Sequence, residues 1–116
     1  MLSKFCLYME SIYGGRHWIE TGFLGLKILY IENGNDRFKI HLADKIRFGK
    51  YDLYHRNSGK KLDGTWLYHK QSDGYDLAYV IYNAYIHDFN KKYGIWVEKG
   101  DYKRFMFDYQ RFLAIT

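Results

Sequence analysis

Cysteine and proline are the residues that this chain has least of: Cys6 is its one cysteine, and it has no proline among 116 residues. One cysteine excludes an intrachain disulfide framework and a zinc site built from several thiolates. It also fits a reducing compartment, where disulfides are rare. A chain of this length can bury a hydrophobic core without disulfide or metal cross-links. We therefore expect Cys6 to be a core or rim residue of an ordinary folded domain.

Long hydrophobic runs and targeting signals are missing as well. The longest apolar stretch, residues 23–31, is interrupted by Lys27 and is too short to span a bilayer. The N-terminal residues lack the long apolar stretch and the small-residue cleavage site of a secretory signal. We expect a single domain over residues 1–116, with no membrane partner and a cytoplasmic location, which is the host cytoplasm if a phage encodes the chain.

The residues that are present predict an α+β domain. In the first two-thirds of the chain, alternating patterns and glycine turns predict an antiparallel, hairpin-rich sheet of about five to six strands. Gly14-Gly15 and Asn33-Gly34 are expected to form tight turns between strands. The predicted strands are Ser3–Tyr13, Arg16–Gly22, Leu24–Glu32, Arg37–Leu42, Tyr51–Asn57 and Thr65–Gln71. In the fourth of these, Phe38, Ile40 and Leu42 are expected to face the core.

The last third changes to a helical period and predicts two C-terminal amphipathic helices that pack on the sheet. Ser72 or Asp73 is expected to cap the first, which starts near Tyr75 and stops at Gly94. A short strand at Ile95–Glu98 and a cap at Asp101 precede the second. Its apolar stripe consists of Tyr102, Phe105, Met106, Tyr109, Phe112 and Leu113.

Positive charge is concentrated in the middle of the chain. Residues 37–71 contain nine lysines and arginines against three aspartates, a net charge of +6, whereas the whole chain carries a formal +5. Aromatic residues are interleaved with these cations, and the chain has 13 tyrosines. Clustered cations attract phosphates or an acidic partner surface, and aromatic rings offer platforms on which bases stack.

The central strand pair can adopt either of two registers, which differ in the set of side chains that faces the core. If Leu53 and His55 face the core, then Tyr54 and Arg56 face outward, together with Trp66, Tyr68 and Lys70 on the next strand. The opposite register buries the rings and exposes the histidines. On the first register, we predict a nucleic-acid or partner-binding surface. Its residues are Arg47, Lys50, Tyr54, Arg56, Lys60, Lys61, Trp66, Tyr68 and Lys70.

These patterns favour a non-enzymatic module that binds nucleic acid or a nucleoprotein complex. The five histidines show no metal-ligand spacing, so no metal, cofactor or catalytic residue is predicted. Small aromatic-rich chains without a catalytic motif are typical of phage and mobile-element accessory proteins. This association favours an inhibitor of host defence, in the manner of anti-CRISPR proteins.

Two alternatives remain. His55 and His69, brought together across a strand pair, would form the general acid–base pair of a metal-independent ribonuclease. The basic segment would equally suit a protein–protein module that meets an acidic partner, including a homo-oligomer.

Overall fold

The structure is a computed structural model that describes residues 2–34, 36–42, 50–57, 68–93 and 99–115. It has one five-stranded antiparallel sheet and three helices, two of them C-terminal, which confirms the predicted α+β fold. The elements are α1 Leu2–Tyr13, β1 Arg16–Thr21, β2 Lys27–Asn33, β3 Asp36–His41, β4 Tyr51–Asn57, β5 His69–Gly74, α2 Leu77–Tyr93 and α3 Lys99–Ile115. A short 3-10 turn at Phe23–Gly25 joins β1 to β2.

The sheet is a simple meander in the order β1-β2-β3-β4-β5. Every strand therefore pairs with its neighbours in the chain, as short connections favour. The predicted hairpin at Asn33-Gly34 is confirmed, with Asn33 paired to Asp36 and Gly34 at a φ of 60°. That left-handed conformation suits glycine, and it makes the turn tight enough to set the β2–β3 register.

Alternation along the strands gives the sheet one covered face and one open face. Phe38 and Ile40 of β3 are buried on the covered face, as predicted. In β4, Leu53 and His55 are also buried, so the first of the two registers is the correct one. The predicted bounds Thr65–Gln71 for the next strand are wrong. The strand β5 continues to Gly74, which pairs with Tyr51, after a bulge between Leu53 and Tyr54.

The N-terminal segment is the main error of the sequence prediction. Ser3–Tyr13 was predicted to be a strand because Phe5, Leu7 and Met9 alternate, but Leu2–Tyr13 is a helix. Its buried residues are Phe5, Cys6 and Met9, a spacing that fits one helical face, whereas Leu7 is 57% exposed. This short apolar set is compatible with both the two-residue period of a strand and the 3.6-residue period of a helix. Packing against α2 and β1 selects the helix.

Gly14-Gly15 forms a turn, but it joins a helix to a strand. The Gly14 amide donates to the Glu10 carbonyl over 2.9 Å and ends α1, with Gly14 at a φ of 80°. Gly15 is also left-handed, and a Cβ there would lie 2.7 Å from the Glu32 carbonyl oxygen. The two glycines thus let the chain leave α1 and pass close to β2 as it enters β1.

The predicted helix caps are also wrong. Ser72 and Asp73 pair with Leu53 and Asp52 in the sheet, so they are unavailable to α2. Asp76 caps α2 instead, since its Oδ1 accepts a hydrogen bond from the Ala78 amide over 3.0 Å. The last helix begins at Lys99, before Asp101, and so Asp101 is not its cap. Gly94 and the predicted strand Ile95–Glu98 lie outside the described residues.

The core lies between the covered face of the sheet and the three helices. Phe105 of α3 joins the helices, with ring centroids 5.8 Å from Phe5, 5.2 Å from Tyr8 and 5.0 Å from Tyr82. Cys6 is fully buried, which confirms it as a core residue, and burial raises the pKa of its thiol to about 12. None of the helices in the described residues is long and apolar enough to cross a membrane.

Candidate nucleic-acid interface

The open face of the sheet carries a row of rings and cations that crosses all five strands. Trp18 pairs with Tyr30, Tyr30 with Lys39, Lys39 with Tyr54, and Tyr54 with Lys70. Directly paired residues project to the same side of a sheet, with Cβ atoms about 5 Å apart. These five side chains therefore form one continuous line, here called the aromatic row.

A second line, here called the arginine row, runs beside the aromatic row. Arg16 pairs with Glu32, Glu32 with Arg37, and Arg37 with Arg56. Together the two rows contain five cations and one carboxylate. Beyond the aromatic row, towards the other end of the strands, Glu20 and Asp52 lie on the same face. The positive charge is thus concentrated on one side of the open face.

Trp18 is the best-anchored ring of the aromatic row. It stacks on Tyr30, with centroids 5.3 Å apart and planes inclined by 9°. The guanidinium carbons of Arg16 and Arg37 lie 4.8 and 5.2 Å from its centroid. Its indole N–H donates to Glu20 over 3.1 Å. Cation–π contacts of this kind hold the guanidinium groups against the ring at the open face.

Tyr68, just before β5, extends the cluster of rings. The Lys39 ammonium lies 4.3 Å from the Tyr68 centroid and 5.7 Å from that of Tyr54. Arg56 lies 5.7 Å from the Tyr68 centroid. Burial raises the pKa of the Tyr68 phenol, although Arg56 and Arg37 act in the opposite direction. Tyr68 is therefore neutral at physiological pH and offers an uncharged ring beside two cations.

Carboxylates partly neutralise the cations of both rows. Glu32 accepts from Arg37 at 2.7 Å and lies 3.1 Å from Arg16. These contacts hold the pKa of Glu32 below its usual value, with the hydrogen bond from Arg37 as the largest cause. Lys70 bridges Asp52 at 3.3 Å and Asp73 at 3.1 Å. Lys39 instead lies against rings, so it is a strong candidate for a phosphate contact.

Four predicted site residues, Tyr54, Arg56, Tyr68 and Lys70, lie together on this face. Lys50 does not join them. It precedes β4 at the end opposite Arg56, about 20 Å away at the usual rise per residue. Its ammonium lies 5.2 Å from the Tyr75 ring. The other four predicted residues, Arg47, Lys60, Lys61 and Trp66, lie outside the described residues.

The predicted site did not include the contributions of β1, β2 and β3. Arg37 and Lys39 alternate with the inward Phe38 and Ile40 but were not among the predicted site residues. Trp18 and Tyr30 were not considered at all. The Asn33-Gly34 turn, whose register pairs Tyr30 with Lys39, was the available signal.

The covered face contains a buried polar cluster next to the core. His55 is 3% exposed and Asp36 is 6% exposed, and His55 Nε2 lies 2.8 Å from Asp36 Oδ1. The other ring nitrogen of His55, Nδ1, lies 3.4 Å from Nε2 of the exposed His69. The His87 ring, on α2, lies 4.6 Å from the His55 ring. The expectation that His55 and His69 are close across a strand pair is thus confirmed.

This arrangement weighs against the ribonuclease alternative. General acid–base catalysis needs both imidazoles within hydrogen-bond reach of the reacting oxygens. His55 is enclosed by Asp36, His87 and Phe38, whose ring stacks on it at 4.7 Å. A polynucleotide at the surface can therefore reach His69 but not His55.

Comparison with known proteins supplies no further guide to function. No protein-family model, curated protein or solved structure matches this chain. A function for it must therefore be argued from the geometry of its own residues.

Proposed function

We propose that the open face of the sheet binds single-stranded nucleic acid without catalysing a reaction on it. The observation that supports this is the alignment of Trp18, Tyr30, Lys39 and Tyr54 in one cross-strand row. Rings on an open antiparallel sheet stack bases, and neighbouring cations neutralise the phosphates.

The structure of the two rows favours single strands over a duplex. A base must be unstacked before it can lie on Tyr54 or Tyr68, and base–ring stacking contributes about 1–3 kcal/mol per base. Lys39, Arg37 and Arg56 are positioned between or beside the rings, where the backbone of a bound strand would run. An acidic protein partner would form ion pairs with the cations, but such ion pairing does not require a row of aromatic rings.

The test measures the anisotropy of labelled single-stranded DNA and RNA oligonucleotides between about 50 and 200 mM salt. With three phosphate contacts, log Kobs should fall against log salt with a slope of about −2, since each contact on a single strand contributes about −0.7. Quenching of Trp18 fluorescence should accompany binding, and Trp18→Phe should remove that part of the quench.

A charge reversal with a matched control distinguishes binding at the open face from non-specific attraction of the oligonucleotide by the positive charge of the whole chain. Lys39→Glu should weaken binding at least about tenfold, because it reverses charge in the centre of the row. Lys103→Glu makes the same change on an exposed position of α3. Equal effects of the two variants, or no binding by the wild-type chain at low salt, would refute the proposal.

The ribonuclease alternative has its own test. We expect no RNA cleavage that depends on His55 or His69, because His55 is buried. Labelled RNA is incubated with the tag-free chain in the presence of chelator, beside His55→Ala and His69→Ala. Cleavage by the wild type that both variants lose would favour the ribonuclease over the binding module. Binding of an acidic protein partner, the host-defence role and the cytoplasmic location remain predictions.

A further inference from the structure

The buried cluster on the covered face brings together potential metal ligands from three elements. Asp36 belongs to β3, His55 to β4 and His87 to α2. One ligand atom from each residue lies within 4.8 Å of the other two. We propose that these three side chains form a binding site for a borderline divalent cation such as Zn²⁺, which links the sheet to α2.

The ligand set determines the class of ion. Two imidazoles and a carboxylate suit Zn²⁺ and its transition-metal neighbours, whereas Mg²⁺ and Ca²⁺ prefer sets made of oxygen atoms. Zinc bonds of about 2.0–2.2 Å in tetrahedral geometry place ligand atoms roughly 3.3–3.5 Å apart. The pair His55 Nε2 and Asp36 Oδ1, at 2.8 Å, already lies slightly inside that separation. The ligand atom of His87 lies within 4.8 Å of both.

The surroundings of the cluster resemble those of a metal site. Phe38 stacks on His55 and contacts the edge of His87 at 5.3 Å, so both rings are held by apolar packing. In the His69 tautomer whose Nε2 carries no proton, that nitrogen accepts the Nδ1 proton of His55, and His55 Nε2 is then unprotonated and able to bind an ion. His69 is exposed and contacts Gln71 at 3.3 Å, so the cluster reaches the surface there.

A second carboxylate, that of the half-buried Glu10, also contacts an imidazole. Glu10 Oε2 lies 2.7 Å from His17 Nδ1 and accepts a hydrogen bond from the Tyr85 hydroxyl. There, one imidazole and one hydroxyl supply the donors that a carboxylate needs. Around Asp36, by contrast, three imidazoles, those of His55, His69 and His87, form a chain of neighbouring rings.

The test uses the full chain with its affinity tag removed and with metal stripped by chelator, because a histidine tag binds zinc itself. Calorimetry should show one Zn²⁺ per chain, with a rise in melting temperature, and Mg²⁺ should produce neither. His87→Gln should weaken zinc binding by more than about 100-fold, beyond the 10–100-fold typical of an outer-shell residue such as His69. His17→Gln is the matched control, since it removes an imidazole from the Glu10 cluster, and it should leave zinc affinity unchanged.

Two further measurements test the zinc site if His87→Gln does not fold. His87→Cys keeps a zinc ligand and should restore binding. Zinc X-ray absorption on the wild-type chain should report two imidazole ligands, without any variant. Absence of stoichiometric binding by the wild type, fewer than two imidazoles, or equal losses in His87→Gln and His17→Gln would overturn the site. None of these results depends on nucleic-acid binding.

Discussion

The two faces of the sheet use the same strands in opposite ways. On the covered face, Phe38, Ile40 and Leu53 are almost fully buried, and the polar side chains Asp36 and His55 are paired with each other. On the open face, rings and cations contact each other but remain partly accessible, as Lys39 does beside Tyr68. Stability should therefore depend mainly on the covered face and binding on the open one. Substitutions on each face test this division.

The largest expected effect is a loss of stability from a substitution on the covered side of the sheet. Phe105→Ala should lower the free energy of unfolding by about 3–5 kcal/mol, because truncating a buried aromatic side chain leaves a cavity. Phe105 is 8% exposed and contacts rings of both other helices. Chemical denaturation measures the change. Phe107→Ala, on the same helix but 64% exposed, is the control and should change stability by less than about 0.5 kcal/mol.

An unchanged denaturation midpoint in Phe105→Ala would mean that α3 does not stabilise the domain. Phe112, another member of the predicted stripe, lies on the same helix, but its side chain is not described, so its burial stays a prediction.

The next largest expected effect is a loss of oligonucleotide affinity from a substitution on the open face. Tyr54→Ala should weaken binding of a single-stranded oligonucleotide by about 1–3 kcal/mol, the contribution of one stacked base. The denaturation midpoint should move far less than in Phe105→Ala, because Tyr54 projects away from the helices. Tyr75→Ala removes a 68% exposed ring away from both rows and serves as the control. Comparable losses of affinity in the two variants would show that the row is not the site.

The smallest expected effect is the change in stability when Glu32, which neutralises two arginines of the open face, is replaced. Glu32→Gln should cost stability by about 0.5 kcal/mol at neutral pH, as expected for a partly exposed ion pair. The same change should tighten oligonucleotide binding, because Arg16 and Arg37 become available to phosphates. A variant that lost both stability and affinity would contradict the proposed division between the faces.

The pH dependence of Glu32 has a definite sign. Its folded-state pKa is lowered from 4.5 by Arg37 and Arg16. The ion-pair contribution is therefore present above pH 4.5 and is lost as the pH falls through the lowered pKa. Denaturation curves of the wild type and Glu32→Gln should differ at neutral pH and converge in acid. A difference that grows towards acid would have the wrong sign for this ion pair.

Much of the candidate site follows from alternation in single strands. The outward positions of Arg37, Lys39, Tyr54 and Arg56 are consequences of a two-residue period once one inward residue is known. Alternation could not decide which set faced inward in β4, because Leu53 and His55 compete with Tyr54 and a neighbouring tryptophan for the core. The helices decide it, since their apolar stripes cover the face that carries Leu53.

The α+β class, the Asn33-Gly34 hairpin and the apolar stripes of the C-terminal helices could be predicted from local patterns in the chain. These depend on local dihedral preferences and on the period of apolar residues within one element. Long-range packing makes Leu2–Tyr13 a helix, aligns Trp18 and Tyr54 in one row, and brings Asp36, His55 and His87 together. Those outcomes depend on strand register and on helix packing, and contacts between residues far apart in the chain leave no local pattern from which to predict them.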